Sequence, residues 1–204
     1  MHKHAVIGIT GRARSGKDTV AEMILADIGG YRYSLADPIR AMLKAGLGID
    51  MADSYWIEHK EDPVPAFGGK SPRQMLQWLG TEWGRDLVDR NLWVTLAIQK
   101  LINSGRGMIV PDVRFENEGS WVRRHGILIH VVRRAVSAVA AHVSEDGVTI
   151  EPADYIIAND GSLEDLQLAV REILSGRAET GKPVRLGSAQ VSERRVLRED
   201  EQPL

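Results

Sequence analysis

One stretch near the amino terminus constrains this chain more than any other. The apolar run at residues 5–10 is typical of a buried strand, and apolar side chains recur at helical spacing from Thr19 to Ile28. Between them lies the sequence Gly-Arg-Ala-Arg-Ser-Gly-Lys, which begins at Gly11. In a G-x-x-x-x-G-K loop between a strand and a helix, backbone N–H groups surround a phosphate. The sequence therefore predicts a phosphate-binding loop.

The physical chemistry of such a loop assigns a role to each part of it. Glycines let the backbone curl around an anion, and the start of the following helix adds the positive end of its dipole. Lys17 supplies a charge for the β- and γ-phosphates of a nucleotide. The predicted nucleotide-binding residues here are Gly11, Arg14, Ser15, Gly16, Lys17, Asp18 and Thr19.

The residue after the lysine departs from the usual pattern. A serine or threonine is typical there, whereas this chain has Asp18 and places the hydroxyl one residue later, at Thr19. A carboxylate beside a triphosphate is repelled unless a cation lies between them. Asp18 is therefore either a Mg²⁺ ligand, acting through water, or a helix-start residue favoured by the dipole. The sequence leaves both roles open.

Composition narrows the class of protein. The 204 residues suit one α/β domain with an inserted flap or a tail. A net charge of −2 provides no positive electrostatic potential for binding nucleic acid. The absence of cysteine excludes disulfides and thiolate chemistry. No signal pattern or long apolar run is present. We expect a cytoplasmic protein without nucleic-acid or membrane partners, and a homodimer is left open.

Apolar strand patterns alternate with helical patterns along the chain, which predicts a three-layer α/β fold of the P-loop NTPase type with a mainly parallel sheet. The strands are expected near residues 5–10, 31–35, 107–112, 127–133 and 154–158. The domain is expected to span residues 1–175, with a helical insertion at about 38–104, a lid at about 134–152 and a loose tail at 176–204.

Charged residues follow two of these strands, and open α/β sheets bind ligands at the strand ends. Asp112 ends an apolar run, as does the aspartate that helps hold Mg²⁺ in P-loop enzymes. Arg114 comes soon after it and suits pairing with a carboxylate or a phosphate. Arg133 and Arg134 follow the next strand and suit clamping of transferring phosphates, with a solvated basic turn as the alternative.

The predicted insertion carries candidates for a second ligand. Asp37 and Arg40 follow the second strand, although Asp37 is equally expected to cap the next helix. Residues 47–70 are expected to be irregular, and Ser71 then begins, with a capping box, a helix expected to run to about residue 83. Arg73 and Gln77 lie four residues apart on that helix and hence on one face. An alternative for these residues is that they only dock the insertion onto the sheet.

The end of that helix adds three more candidates. Arg85 follows it and suits an anionic ligand. Trp78 and Trp83 offer faces on which a base stacks, although core packing is the expected role of any one tryptophan.

Together these motifs resemble the phage-type deoxynucleoside monophosphate kinases. The resemblance spans roughly residues 5–174 and does not cover the tail. The runs that carry it are residues 11–19, 36–38, 69–77, 79–85, 112–118, 142–145 and 159–162. The first run is shared with many families, whereas the middle runs are far more specific.

The resemblance implies transfer of the γ-phosphoryl group of ATP to a deoxynucleoside monophosphate, in the host cytoplasm if the protein is phage-encoded. It implies that the backbone of residues 12–17 cradles ATP, that Mg²⁺ is the metal, and that Asn159 belongs to the nucleotide site. The implied catalytic residues are Lys17, Arg133 and Arg134, and the implied metal ligands are Asp18 and Asp112. The implied acceptor-side residues are Asp37, Arg40, Arg73, Gln77, Arg85 and Arg114.

Two other readings are compatible with the loop. A P-loop kinase for another small phosphorylated acceptor, such as dephospho-coenzyme A, would have the same loop because the loop contacts only ATP. A nucleotide-dependent switch or binding module would also have it, although acceptor-side arginines argue against that reading.

Overall fold

The computed structural model describes residues 6–134 and 147–184. The chain forms two compact units, the first made of Met1–Arg32 with Gly107–Leu204 and the second of Tyr33–Arg106. The strands are β1 (Val6–Thr10), β2 (Tyr31–Arg32), β3 (Met108–Val110), β4 (Gly126–Val132), β5 (Tyr155–Ala158) and β6 (Pro183–Val184). The α-helices are α1 (Lys17–Ile28), α2 (Asp37–Leu47), α3 (Ser54–Glu58), α4 (Pro72–Trp78), α5 (Leu92–Ser104), α6 (Glu116–His125) and α7 (Leu163–Leu174).

The first unit is built on one sheet with the strand order β2-β3-β1-β4-β5-β6. Every pairing between neighbouring strands is parallel. β1 lies between β3 and β4, and all five of its residues are buried. The predicted mainly parallel α/β sheet is therefore confirmed, and the phosphate loop leaves from its interior.

Helices cover both faces of this sheet. Side chains alternate between faces along a strand. Ile7 and Ile9 of β1 pack in one core with buried residues of α1 and α7. Gly8 faces the opposite side, where a Cβ would collide with Val122 of α6. Two helical layers on a central sheet give the three-layer architecture that the alternating pattern predicts.

Three parts of the first unit differ from the sequence-based expectations. β2 ends at Arg32, although the strand was expected to reach residue 35. β3 ends at Val110 because Pro111 has no N–H to continue the ladder. Residues 183–184, expected in a loose tail, pair in parallel with β5 as β6. Residues 135–146 of the predicted lid and the tail from residue 185 lie outside the described residues.

The second unit is helical and has its own small core of Leu43, Ile49 and Met75. The predicted capping box is present at the start of α4, where Ser71 and Gln74 exchange hydrogen bonds. α4 ends at Trp78, and the chain continues as a π-helix over Leu79–Val88. The expectation of a single helix to about residue 83 was wrong in this respect.

Two further expectations for the second unit were wrong. Residues 47–70 were expected to be irregular, but they contain α3, whose N-cap Asp53 accepts from the Tyr55 N–H at 2.8 Å. Asp37 was expected to cap α2, but it is the first helical residue and Ala36 is the N-cap. Within the described part of the chain, no helix combines the length and the apolar character needed to cross a membrane.

Candidate functional site

The loop between β1 and α1 has a backbone that excludes most side chains. Gly11 has φ 147° and Gly16 has φ 101°. A Cβ at Gly11 would overlap the carbonyl oxygen of Val131, and one at Gly16 would overlap the side-chain amide of Asn159. Arg14 also takes a left-handed conformation, with φ 62°. The loop is therefore tightly curled against the end of β4 and the segment that follows β5.

The start of α1 has no side-chain cap. Gly16 is its N-cap and offers no side-chain acceptor to the first-turn N–H groups. The Ser15 hydroxyl is buried and has no hydrogen-bond partner among the described residues. A helix N-terminus together with an orphaned buried hydroxyl fits a bound polyphosphate.

Lys17 is the first residue of α1. Its Nζ donates to the backbone oxygen of Arg12 at 2.7 Å, so the ammonium group lies beside the loop. A positive charge held there suits the terminal phosphates of a nucleotide.

Asp18 lies in the first turn of α1 and forms an ion pair. Its Oδ1 is 2.6 Å from a guanidinium nitrogen of Arg32, and its side chain is 81% exposed. Among the residues that the structure describes, no three His, Cys, Asp or Glu side chains cluster as a metal site. The position of Asp18 agrees with the helix-start role, and its role as a Mg²⁺ ligand stays a prediction, as does that of the neighbouring Thr19 in nucleotide binding.

The turn after β3 holds Asp112 and Arg114. The Val113 N–H donates to the backbone oxygen of Ile9 at 3.1 Å, which draws this turn against the end of β1. The buried Glu118 carboxylate accepts from the Arg114 N–H at 2.8 Å and from the Phe115 N–H at 3.1 Å. Sequence reasoning gave Glu118 no role, although its position in the first turn of a helix is a capping signal.

The segment after β4 carries the arginine pair. The Arg134 N–H donates to Asp160 at 2.8 Å, and the exposed Arg134 side chain lies 3.7 Å from the same carboxylate. Arg133 is also exposed. No side-chain partner of Arg133 lies among the described residues, whereas Arg134 is engaged with Asp160.

Asn159 follows β5 and connects three segments. Its backbone N–H donates to the Val132 oxygen at the end of β4, at 2.8 Å. Its side-chain Nδ2 donates to the Ser15 oxygen in the phosphate loop, also at 2.8 Å. The residue was expected to bind nucleotide, and the structure shows it holding the loop.

The sheet order brings four predicted site segments to one edge. Because β3, β1, β4 and β5 are neighbours and parallel, their carboxyl ends meet along the same edge of the sheet. Asp112, the phosphate loop, Arg133 and Asn159 follow these four strands in that order. This shared edge is the candidate nucleotide site of the first unit.

A buried polar cluster supports the strands beneath that edge. Arg123 of α6 donates to both carboxylate oxygens of Asp154, at 2.9 and 2.7 Å, and His130 of β4 lies 2.9 Å from Asp154. Burial lowers the pKa of His130 below its ordinary value, although the nearby carboxylate opposes this. Burial alone would raise the pKa of Asp154, but hydrogen bonds from Arg123, the Glu151 N–H and His130 outweigh it and lower the pKa. Sequence reasoning missed this cluster.

In the second unit, Asp37 and Arg40 form one hydrogen-bonded group with Ser34. The Arg40 guanidinium donates to Asp37 at 2.8 Å and to the Ser34 hydroxyl at 2.9 Å. Asp37 in turn accepts from the Ser34 N–H at 2.9 Å. The two residues thus lie together, as the sequence predicts, and their role in binding a substrate stays a prediction.

The other acceptor-side candidates lie on α4 and on the π-helix. Arg73 pairs with Glu61 at 3.1 Å, and Gln77 is half-buried one turn further along α4. Arg85 is only 8% exposed, and its guanidinium donates to the Arg90 oxygen at 3.0 Å. These residues stay predictions as substrate contacts.

The π-helix was not predicted, nor was its contact with Trp93 of α5. The Trp93 indole donates to the Gly80 oxygen at 2.7 Å, and its ring occupies the place that a Cβ at Gly84 would need. Trp78 and Trp83 are 43% and 40% exposed, so the expected core role was wrong for both. The Lys70 ammonium lies 5.5 Å from the centre of the Trp78 ring, within cation–π range.

Comparison with known proteins identifies the family. A family model described as deoxynucleotide monophosphate kinase matches residues 5–65 and 66–170, which is more than half of the chain. The chain is 28% identical to the deoxynucleotide monophosphate kinase of Enterobacteria phage T4, over 83% of this chain and 98% of that protein. It is 33% identical to the deoxynucleotide monophosphate kinase of Escherichia phage RB69, over 72% of this chain and 55% of that protein. This chain belongs to the deoxynucleotide monophosphate kinase family.

Proposed function

We propose that this protein transfers the γ-phosphoryl group of ATP to a deoxynucleoside 5′-monophosphate, giving the deoxynucleoside diphosphate and ADP. Family membership supports the reaction and the class of acceptor. The observation that carries the proposal is the curled loop before α1, with its orphaned Ser15 hydroxyl, at the same sheet edge as Asp112 and Arg133.

The donor nucleotide binds at this edge. Backbone N–H groups of residues 12–17 and the positive end of α1 hold the phosphates, and Lys17 neutralises the terminal ones. When bound, Mg²⁺ supplies further charge neutralisation on the phosphate oxygens. Asp18 and Asp112 are the residues that would hold it, directly or through water.

Phosphoryl transfer requires little covalent chemistry from the protein. Positioning and charge stabilisation carry the reaction. Arg133 is the better placed of the two arginines to close over the transferring group, because Arg134 is already engaged with Asp160. Its guanidinium presents paired donors to the equatorial oxygens that carry negative charge in the transition state.

The acceptor monophosphate needs its own neutralising charges because it otherwise repels the attack on ATP. Arginine forks suit this role. In the second unit, Arg73 pairs with Glu61, and the Arg85 guanidinium donates to the backbone oxygen of Arg90. Gln77 supplies a donor and an acceptor for a base edge. Asp37, Arg40 and Arg114 complete the proposed acceptor-side set.

A substrate screen tests the proposal. ADP release is followed by a coupled assay with each common deoxynucleoside and ribonucleoside monophosphate and with dephospho-coenzyme A. We expect ADP release that depends on at least one deoxynucleoside monophosphate. Turnover of dephospho-coenzyme A with no turnover of any nucleoside monophosphate would contradict the proposal.

The variant Arg85→Ala tests whether Arg85 contributes to acceptor binding, independently of whether the proposed reaction is correct. We expect a raised KM for the monophosphate and an unchanged KM for ATP. If the KM for the monophosphate and kcat were both unchanged, Arg85 would have no role in acceptor binding, and the proposed reaction would stand.

A further inference from the structure

We propose that Asn159 is a positioning residue that fixes the Ser15–Gly16 peptide of the phosphate loop, and that its effect on ATP binding passes through this peptide. The proposal deepens the proposed function and rests on it, since it concerns how the loop holds the donor phosphates. It differs from a direct contact between Asn159 and the base or ribose.

The position of Asn159 is itself fixed by the sheet. The residue follows β5, and its backbone N–H donates to the Val132 oxygen at the end of β4, at 2.8 Å. The side chain therefore starts from a backbone tied to two adjacent strands. A group anchored in this way has little freedom to lose when it holds another segment.

The side-chain amide of Asn159 is oriented by its partner. Its Nδ2 lies 2.8 Å from the Ser15 carbonyl oxygen, a group that can only accept a hydrogen bond. The NH₂ group must therefore face the loop. The same amide lies so close to the Cα of Gly16 that a Cβ there would overlap it.

This hydrogen bond sets the orientation of a whole peptide. In a trans peptide the C=O and the N–H point in opposite directions. With the Ser15 oxygen held by Asn159, the Gly16 N–H points to the other side of the peptide, away from Asn159. Gly16 has φ 101°, and glycine adopts backbone conformations that other residues rarely do. The Ser15–Gly16 peptide can therefore rotate readily unless something holds it.

The expected consequence concerns phosphate affinity. A rotated Ser15–Gly16 peptide would remove one donor from the loop and present a carbonyl oxygen in its place. Losing one held hydrogen bond of this kind is commonly worth about three- to tenfold in an equilibrium constant. The loss should be the same for any ligand that the loop binds through its phosphates.

The test uses Asn159→Ala and two ligands, with the matched control Asn103→Ala on an exposed position of α5. Dissociation constants for ATP and for inorganic tripolyphosphate, each with Mg²⁺, are measured by calorimetry. Tripolyphosphate has no base or ribose. We expect Asn159→Ala to weaken both ligands by the same factor, about three- to tenfold, and Asn103→Ala to weaken neither.

Steady-state kinetics separate positioning from general destabilisation. We expect the KM for ATP to rise and the KM for the monophosphate to stay unchanged. A variant that merely unfolds more easily would lose active enzyme, which lowers kcat without changing either KM. The isosteric variant Asn159→Asp should bind tripolyphosphate more weakly than Asn159→Ala, because a carboxylate would face the Ser15 carbonyl.

Distinct outcomes overturn the inference and the proposed function. A loss of affinity confined to ATP would show a direct base or ribose contact, and unchanged affinity for both ligands would show no role at all. Either result overturns the inference while dNMP phosphorylation stands. A wild-type protein that binds both ligands but phosphorylates no monophosphate would overturn the proposed function alone.

Discussion

At the scale of single residues, the candidate site depends on backbone conformation as much as on charge. Gly11 and Gly16 take left-handed conformations at places where a Cβ would overlap neighbouring atoms. Two of the charged residues near them are held by hydrogen bonds, Lys17 to the Arg12 backbone oxygen and Arg134 to Asp160. The loop conformation thus contributes to the geometry of the site alongside the charges.

The two arginines after β4 should contribute unequally to catalysis. We predict that Arg133→Ala lowers kcat by roughly 10²–10³-fold with little change in the KM for ATP, because its charge is needed mainly in the transition state. Arg134→Ala is the matched control and should have a smaller effect, since Arg134 is engaged with Asp160. Steady-state kinetics on both variants measure this. A rise in the KM for ATP alone would make Arg133 an ordinary ground-state contact.

His130 should make stability depend on pH. Burial lowers its pKa in the folded protein below the ordinary value of 6.5, so the unfolded chain binds more protons near and below that value. Its contribution is therefore present above about pH 6.5 and is lost as pH falls towards the lowered pKa. Asp154, whose pKa is also lowered, acts with the same sign in a more acidic range. Arg123 and Glu116 are the other charged groups that act on His130.

Urea unfolding between pH 5 and 7.5 measures this dependence. We predict that the free energy of unfolding of the wild-type protein decreases on acidification and that His130→Gln makes the decrease shallower. His125→Gln on α6 is the control with the same chemical change. An unchanged slope in His130→Gln would show that His130 does not couple folding to protons in this range.

At the scale of elements, the second unit contains the least expected structure, the π-helix at Leu79–Val88. π-Helices are rare and occur mostly as single-turn bulges within α-helices, frequently at functional sites, so a ten-residue stretch is unusual. Here the Trp93 ring lies against Gly84, and the Trp93 indole donates to the Gly80 oxygen. The stretch also carries Arg85, so its geometry decides where this predicted substrate residue lies.

Two helical glycines should respond oppositely to the same substitution. Gly84→Ala should destabilise the protein by about 1–3 kcal/mol because the new methyl group would collide with Trp93. Gly46→Ala in α2 should stabilise it by about 0.4–1 kcal/mol, because no atom lies within 4 Å of a Cβ there and the unfolded chain loses freedom. Urea unfolding of both variants measures the difference. Equal effects would show that Trp93 does not restrict Gly84.

The elements that the sequence predicts well are those with both a periodic pattern and clear ends. β1 and α1 have apolar periodicity on either side of a glycine-rich loop, and α4 begins with the capping box at Ser71. α3 escaped prediction because five residues are too few to show helical periodicity. β6 escaped because it is two residues long. A π-helix escapes because helical spacing in the sequence does not reveal a wider turn.

At the scale of the whole molecule, the sequence predicts which residues follow the strands but not what they bind to within the fold. Asp112 and Arg133 could be assigned to one sheet edge because parallel strands end on the same side, whereas Asn159 was implied by the family resemblance. The hydrogen bond from the Asn159 side chain to the Ser15 backbone oxygen joins residues 144 positions apart, and no local sequence pattern predicts it. The cluster of Arg123, His130 and Asp154 was missed for the same reason.

The most direct test of the central claim follows the phosphoryl group itself. The protein is incubated with ATP labelled at the γ-phosphate and with each deoxynucleoside monophosphate, and the products are separated by anion exchange. We predict label in a deoxynucleoside diphosphate, formed in equal amount to ADP, and at least about a 10²-fold slower transfer in a folded Lys17→Met variant. ADP formation with label only in inorganic phosphate, at a rate independent of the monophosphate, would contradict the account.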